Sequence, residues 1–80
     1  MKAKVLITLK PGVHDPQGAA IANALDHLGF SGVNSVGQGK YIELDLAEMP
    51  KDKAEEQVKQ MCEKLLANTV IERYEVELVA

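Results

Sequence analysis

Eighty residues make one domain with a thin core, because a chain this short hides only about 60–65% of the surface its unfolded form exposes; association with another chain is a common remedy. A hydrophobic content of 46% marks a globular chain, and a net charge of −3 argues against a non-specific nucleic-acid binder and against attachment to an anionic membrane. The single cysteine excludes an intrachain disulfide, making a reducing cytoplasm the default compartment, and no apolar run approaches the ~20 residues that span a bilayer.

The N-terminal MKAKVLITLK alternates lysines with apolar residues and lacks the apolar block and cleavage site of a signal peptide. Val5, Ile7 and Leu9 against Lys4, Thr8 and Lys10 give a period of two, so a first strand with one buried face is expected. Leu6 interrupts its polar face, and Pro11-Gly12 closes it.

Asp15-Pro16 reads as a helix start: Asp caps the free amides of the first turn, and Pro is tolerated where its missing N–H has no partner. Ala20, Ile21, Ala24, Leu25 and Leu28 follow at helical spacing, and Gly29 suits a left-handed stop. Val33 to Leu46 is extended in character but interrupted by Gly37 and Gly39, which leaves two readings open: a hairpin, or one long strand bent by a bulge. Its second half alternates cleanly, Ile42, Leu44 and Leu46 against Tyr41, Glu43 and Asp45.

Pro50 and Asp52 open a second helix whose apolar face carries Ala54, Val58, Met61, Cys62 and Leu65, with Glu55 and Lys59 as a favourable i, i+4 pair. Asn68, a residue that tolerates the left-handed conformation, is expected to end it. Tyr74, Val76 and Leu78 alternate with Arg73, Glu75 and Glu77 in a last strand. The order β-α-β-β-α-β predicts an α+β two-layer sandwich, a single domain over residues 1–80, with both helices on one face of an antiparallel sheet. Leu6, Tyr41 and Val79 would lie on or near the open face and are candidates for an oligomer interface.

Chemistry is sparse. Cys62 sits mid-helix among Val58, Met61, Leu65 and Leu66, which suits packing and not a reactive thiol. His14 and His27 are isolated from any metal spacing or orienting partner and read as surface residues. Gly37-Gln38-Gly39-Lys40 lacks the length of GxxxxGK[ST] and reads as a turn or bulge. The carboxylates fall on predicted solvent faces with no paired cleft. An interaction module is favoured over an enzyme, with no catalytic, cofactor or metal site. Among modules of this topology, an RNA-recognition domain would need more exposed aromatics than Tyr41, and a copper chaperone would need CxxC where this chain has KPGVHDPQG. An ACT-like regulatory domain binding a small amino acid or nucleotide remains as the alternative.

Three segments agree in order and spacing with one family. MCEKLLANTVIERYEVEL, DPQGAAIANALDHLGF and GKYIEL resemble the C-terminal half, first helix and central strand of PurS, the small subunit of phosphoribosylformylglycinamidine synthase, and the likeness spans essentially the whole chain. The resemblance implies a non-catalytic dimer or tetramer in purine biosynthesis. Its partners would be a synthetase carrying ATP and Mg²⁺ and a glutaminase, which it would join while supporting ammonia transfer. No cofactor is implied on this chain. The family commonly has Arg where this chain has Gly37 and Leu where it has His14, so contacts made by those side chains are in doubt. Candidate partner contacts are Lys10, Asp15, Pro16, Gln17 and Gly18 at the first helix entry, Lys40 and Tyr41 at the glycine segment, and Asn68 and Thr69 at the second helix exit. For Asp15, Pro16 and Asn68, capping and helix termination are the competing explanations.

Overall fold

The computed structural model describes residues 1–79. Three strands, β1 (Lys2–Leu9), β2 (Lys40–Asp45) and β3 (Glu72–Val79), form an antiparallel sheet in the order β2-β1-β3. Two helices, α1 (Pro16–His27) and α2 (Lys51–Met61), lie between them in sequence, and α2 runs on into a π turn at Cys62–Leu66. The α+β class and the antiparallel sheet are as expected, but the sheet has three strands and not four. Val33–Gly39 joins no ladder, so neither hairpin nor continuous strand forms there. Gly39 explains how this run meets β1: a Cβ at Gly39 would stand 2.5 Å from the Ile7 carbonyl oxygen, closer than a side chain tolerates.

Alternation along β1 sets the two faces of the sheet. Ala3, Val5 and Ile7 are fully buried and form one cluster with Val58 of α2, Cys62 of the π turn and Ala67; Ala54 of α2 is fully buried as well. On either side Ile42 and Leu44 of β2 and Tyr74, Val76 and Leu78 of β3 pack against this core and are only partly buried. Lys4, Leu6 and Thr8 face the other way, opposite Tyr41 and Glu43 on β2 and Arg73, Glu75 and Glu77 on β3.

The placement of α1 departs from the two-helices-on-one-face expectation. It packs extensively against no other element, and its apolar residues stay outside: Ile21 is exposed, as are Leu28 (72%) and Phe30 (59%) just beyond its end. Its N-terminus is fixed by the next segment, described below. Its C-terminus closes as expected, with Gly29 at φ +94° and paired bonds from Phe30 N to Leu25 O (3.0 Å) and Gly29 N to Asp26 O (3.0 Å). The result is elongated, 49 × 26 × 15 Å, with a radius of gyration of 16.1 Å. A compact chain of this length would have about 12 Å.

The second helix exit also differs from the periodic reading. The π turn closes with Ala67 N on Cys62 O (3.0 Å), an i→i+5 bond. The wider turn rotates the apolar face by part of a residue step. Leu66 therefore packs against the core while Leu65, expected inside, is 83% exposed. Asn68 is not left-handed; only glycines have positive φ among the described residues. It instead organises a turn, its Oδ1 accepting from Val70 N (3.2 Å) and its carbonyl from Ile71 N (3.1 Å) and Glu72 N (2.7 Å). Cys62 is buried, as expected for packing, and burial followed by the nearby Glu63 charge pushes its thiol pKa up. The π turn makes adjacent leucines unequal: Leu66→Ala should lose about 1–3 kcal/mol in urea unfolding at fixed protein concentration, and Leu65→Ala under about 0.5 kcal/mol.

Candidate functional site

The candidate residues gather mostly at one end of the sheet, where β1 runs out, α1 begins and β2 and β3 start. Asp15 is the centre of this end. Its Oδ1 accepts from Gly18 N and its Oδ2 from Gln38 N, both at 2.8 Å. The first bond caps α1; the second crosses 23 residues and ties the helix entry to the run before β2. These two N–H donors, Gly18 first and Gln38 second, hold the Asp15 carboxyl below its ordinary range. Gly18 is buried directly beneath the Val36 carbonyl oxygen, where a Cβ would collide, so the first turn of α1 lies against Val36 only because residue 18 has no side chain. Asp15, Pro16 and Gly18 thus have local structural duties, and Gln17 is left exposed beside them.

A second tie spans the sheet. Lys40 Nζ, at the start of β2, reaches Glu72 Oε2 at the start of β3 (3.5 Å), across the end of the central strand. Glu72 Oε1 accepts from Asn68 N at 2.7 Å, so the same carboxylate holds the turn after α2. Thr69 sits half-buried in that turn. Lys10 continues beyond β1, and its N–H donates to the Ile71 carbonyl at 2.8 Å. Thus Lys10, Asp15, Gln17, Lys40, Asn68 and Thr69 share one end of the molecule. Two clefts open there, one of ≈ 430 Å³ beside His14, Gln17 and Lys40, the other of ≈ 390 Å³ beside Thr8, Lys10 and Arg73.

Tyr41 does not join this group. Its side chain lies on the open sheet face, next to Leu6, and its hydroxyl donates to Glu43 Oε1 at 3.0 Å. That bond first, and Lys2 at 3.4 Å second, lower the Glu43 pKa. Partial desolvation, then Glu43, raises that of Tyr41. Leu6 (46%), Tyr41 (56%) and Val79 (37%) all retain exposed apolar surface on this face, where the alternation puts them. Sequence reasoning passed over Gln38, Glu72 and Arg73. Glu72 and Arg73 acquire partners only through strand order: Arg73 Nε donates to Thr8 Oγ1 at 3.2 Å, 65 residues away. No periodicity within a single segment carries that signal.

No group of three or more His, Cys, Asp or Glu side chains is placed to hold a metal among the described residues. Asp15, Lys40 and Glu72 at the strand end spend their bonds on backbone amides and on one another. That chemistry fixes a surface in shape.

The comparisons with known proteins agree with one another. The family model PurS, described as phosphoribosylformylglycinamidine (FGAM) synthase, matches residues 2–80. The phosphoribosylformylglycinamidine synthase subunit PurS of Bacillus subtilis is 51% identical over 80 residues, covering 98% of this chain and 94% of that protein. Among solved structures, Methanocaldococcus jannaschii PurS, one of the subunits of formylglycinamide ribonucleotide amidotransferase in the purine biosynthetic pathway, superposes with a TM-score of 0.84 at 46% identity over 95% of this chain and 92% of that one. A chain of the PurLQS structure from Thermotoga maritima matches with a TM-score of 0.74 at 32% identity, over 98% and 95% of the two chains.

The Asp15 bonds have a pH signature. A depressed native pKa contributes stability that is complete above the unfolded-state Asp value of about 4 and drains away as pH falls through the lowered native value. Hydrogen exchange at the Gln38 amide, corrected for its intrinsic pH dependence, should show protection falling through that acid window, and Asp15→Ala should lack the protection at every pH.

Proposed function

The chain belongs to the PurS family, a subunit of phosphoribosylformylglycinamidine synthase in purine biosynthesis that associates with the PurL and PurQ subunits, and on that premise we propose that it acts as a non-catalytic assembly subunit. It joins the synthetase to the glutaminase and supports the passage of ammonia between them. ATP and Mg²⁺ belong to the synthetase in this reading, and the complex works in the cytoplasm. No helix among the described residues is long and apolar enough to cross a membrane.

The observation that carries the reading is the match over residues 2–80 together with a surface the single chain leaves unfinished. The accessible surface is 5880 Å² for a chain of 8.7 kDa. A compact monomer of that mass would expose about 4,700 Å², so about 1,100 Å² is in excess, against about 800 Å² that each partner buries in an ordinary stable interface. Bare apolar groups include Ile21, Leu28 and Phe30 in the α1 region, and Ile42 and Leu44 of β2 are only half-covered. These two kinds of surface supply what a homodimer needs, a helix without a sheet and a sheet short of a helix. Leu6, Tyr41 and Val79 on the opposite face offer a further contact, through which dimers could pair into a tetramer.

Ammonia gives the assembly its purpose. In bulk water it is diluted and mostly protonated; a sealed protein path keeps it concentrated and neutral and excludes competing water. Lys40, Tyr41, Asn68, Thr69, Lys10, Asp15 and Gln17 are the contacts proposed for the other subunits.

Reconstitution tests the reading. With synthetase and glutaminase present, omitting this chain should collapse the glutamine-dependent rate while the ammonium-dependent rate largely survives. Equal rates with and without the chain in both assays would refute it, and saturable binding of an amino acid or nucleotide to the isolated chain would favour a regulatory domain. Sedimentation tests self-association: Ile21→Asp should shift the wild-type oligomer to the monomer mass.

A further inference from the structure

Lys10, just past β1, and Arg73, near the head of β3, line one cleft of ≈ 390 Å³ together with Thr8, Ser35 and Gln38. Among the described residues, carboxylates engage the N-terminal amine, Lys2, Lys40 and Lys59; neither Lys10 nor Arg73 has such a partner. The one acid in the cleft wall, Asp15, already accepts a backbone N–H on each oxygen. Glu75, two residues from Arg73 on the same sheet face, makes no ion pair with it. Other lysines also lack a carboxylate partner, but Lys10 and Arg73 line the same cavity, in a chain of net charge −3.

The cations are also held. Arg73 Nε is occupied by Thr8 Oγ1 at 3.2 Å, which steadies the guanidinium and leaves its two terminal nitrogens, the edge that grips a carboxylate with two parallel bonds. The Lys10 backbone is pinned by its N–H on Ile71 O (2.8 Å) and its carbonyl on Val13 N (3.2 Å). Gly37 lines the cavity, and the space beside it is open, for a Cβ there would meet nothing within 4 Å. Ile21, Leu28 and Phe30, the bare apolar residues of the α1 region, do not line it.

From this geometry we infer that the Lys10–Arg73 cleft is a docking site for an Asp or Glu side chain presented by a different subunit of the synthase. The inference rests on the assembly reading and gives it a charged contact point. A tethered carboxylate is favoured over a free anion because both cations are exposed. Solvent and salt screen a small ion at such a place, whereas a docking subunit displaces the water and supplies the rest of the interface.

The test uses the wild-type chain and the double variant Lys10→Gln, Arg73→Gln, titrated against purified synthetase and glutaminase at low and high salt. The double variant should bind one of them at least about tenfold more weakly at low salt and respond less to added salt, with unchanged thermal melting and homo-oligomer mass. Arg73→Lys, which keeps the charge and loses the fork, should recover only part of the affinity. Unchanged affinity for both subunits would overturn the inference. So would loss of self-association in the double variant, which would make a second copy the occupant, or saturable binding of inorganic phosphate to the wild-type chain that the variant abolishes. If the wild type itself binds neither subunit, the assembly reading fails and the site with it.

Discussion

Two hydrogen bonds to the Asp15 carboxylate govern the shape of this molecule. One caps α1 and the other fastens the helix entry to Gln38, while Gly18 rests beneath the Val36 carbonyl. With its entry anchored to the run before β2, α1 packs extensively against no other element, and it is α2 that covers the core face. From that follow the elongated outline, the partly bare β2 and the uncovered stripe on α1. Hydrophobic burial is the main favourable term for a chain this small. A fold that leaves one of its two helices without a sheet leaves Ile21, Leu28 and Phe30 outside its own core.

Such exposed surface suits a subunit that associates with other proteins. Its core is minimal, built on Ala3, Val5, Ile7, Val58 and Cys62, and its polar side chains at the strand end act as ties: Asp15 to backbone, Glu72 to both Lys40 and Asn68, Arg73 to Thr8. Such ties are weak as single surface ion pairs. Their value lies in fixing loops whose carbonyls and amides would otherwise move. A surface that binds a partner benefits from that fixity, since each contact made by a mobile loop would first have to be ordered.

The residues declared most of the local elements. Alternation in β1, in Ile42–Leu44 and in Tyr74–Leu78 placed the strands, and Asp15-Pro16 and Gly29 bracketed α1. Three features escaped. The amphipathic pattern of α1 says that it buries a face and not against what, so its detachment from its own sheet was invisible. Val33–Gly39 was read with the strand that follows it as one extended run, although no neighbour within the chain pairs with it. The π turn inserts a phase shift that a fixed helical period cannot represent, exchanging Leu65 for Leu66. At the candidate site, Lys10, Asp15, Lys40 and Asn68 were legible because helix ends and glycine turns attract attention. Arg73 and Glu72 were hidden inside a strand pattern, and their partners across the sheet depend on the order β2-β1-β3.

That strand order leaves β2 and β3 as rims, each with one side of its backbone unpaired within the chain. Open rims invite runaway stacking into fibres unless something blunts them. Here the rims alternate charges of both signs with apolar residues: Lys40, Glu43 and Asp45 on one, Arg73, Glu75 and Glu77 on the other. Each added layer would have to strip water from those ions. A molecule with exposed sheet rims is thereby steered toward finite, closed contacts and away from endless polymer.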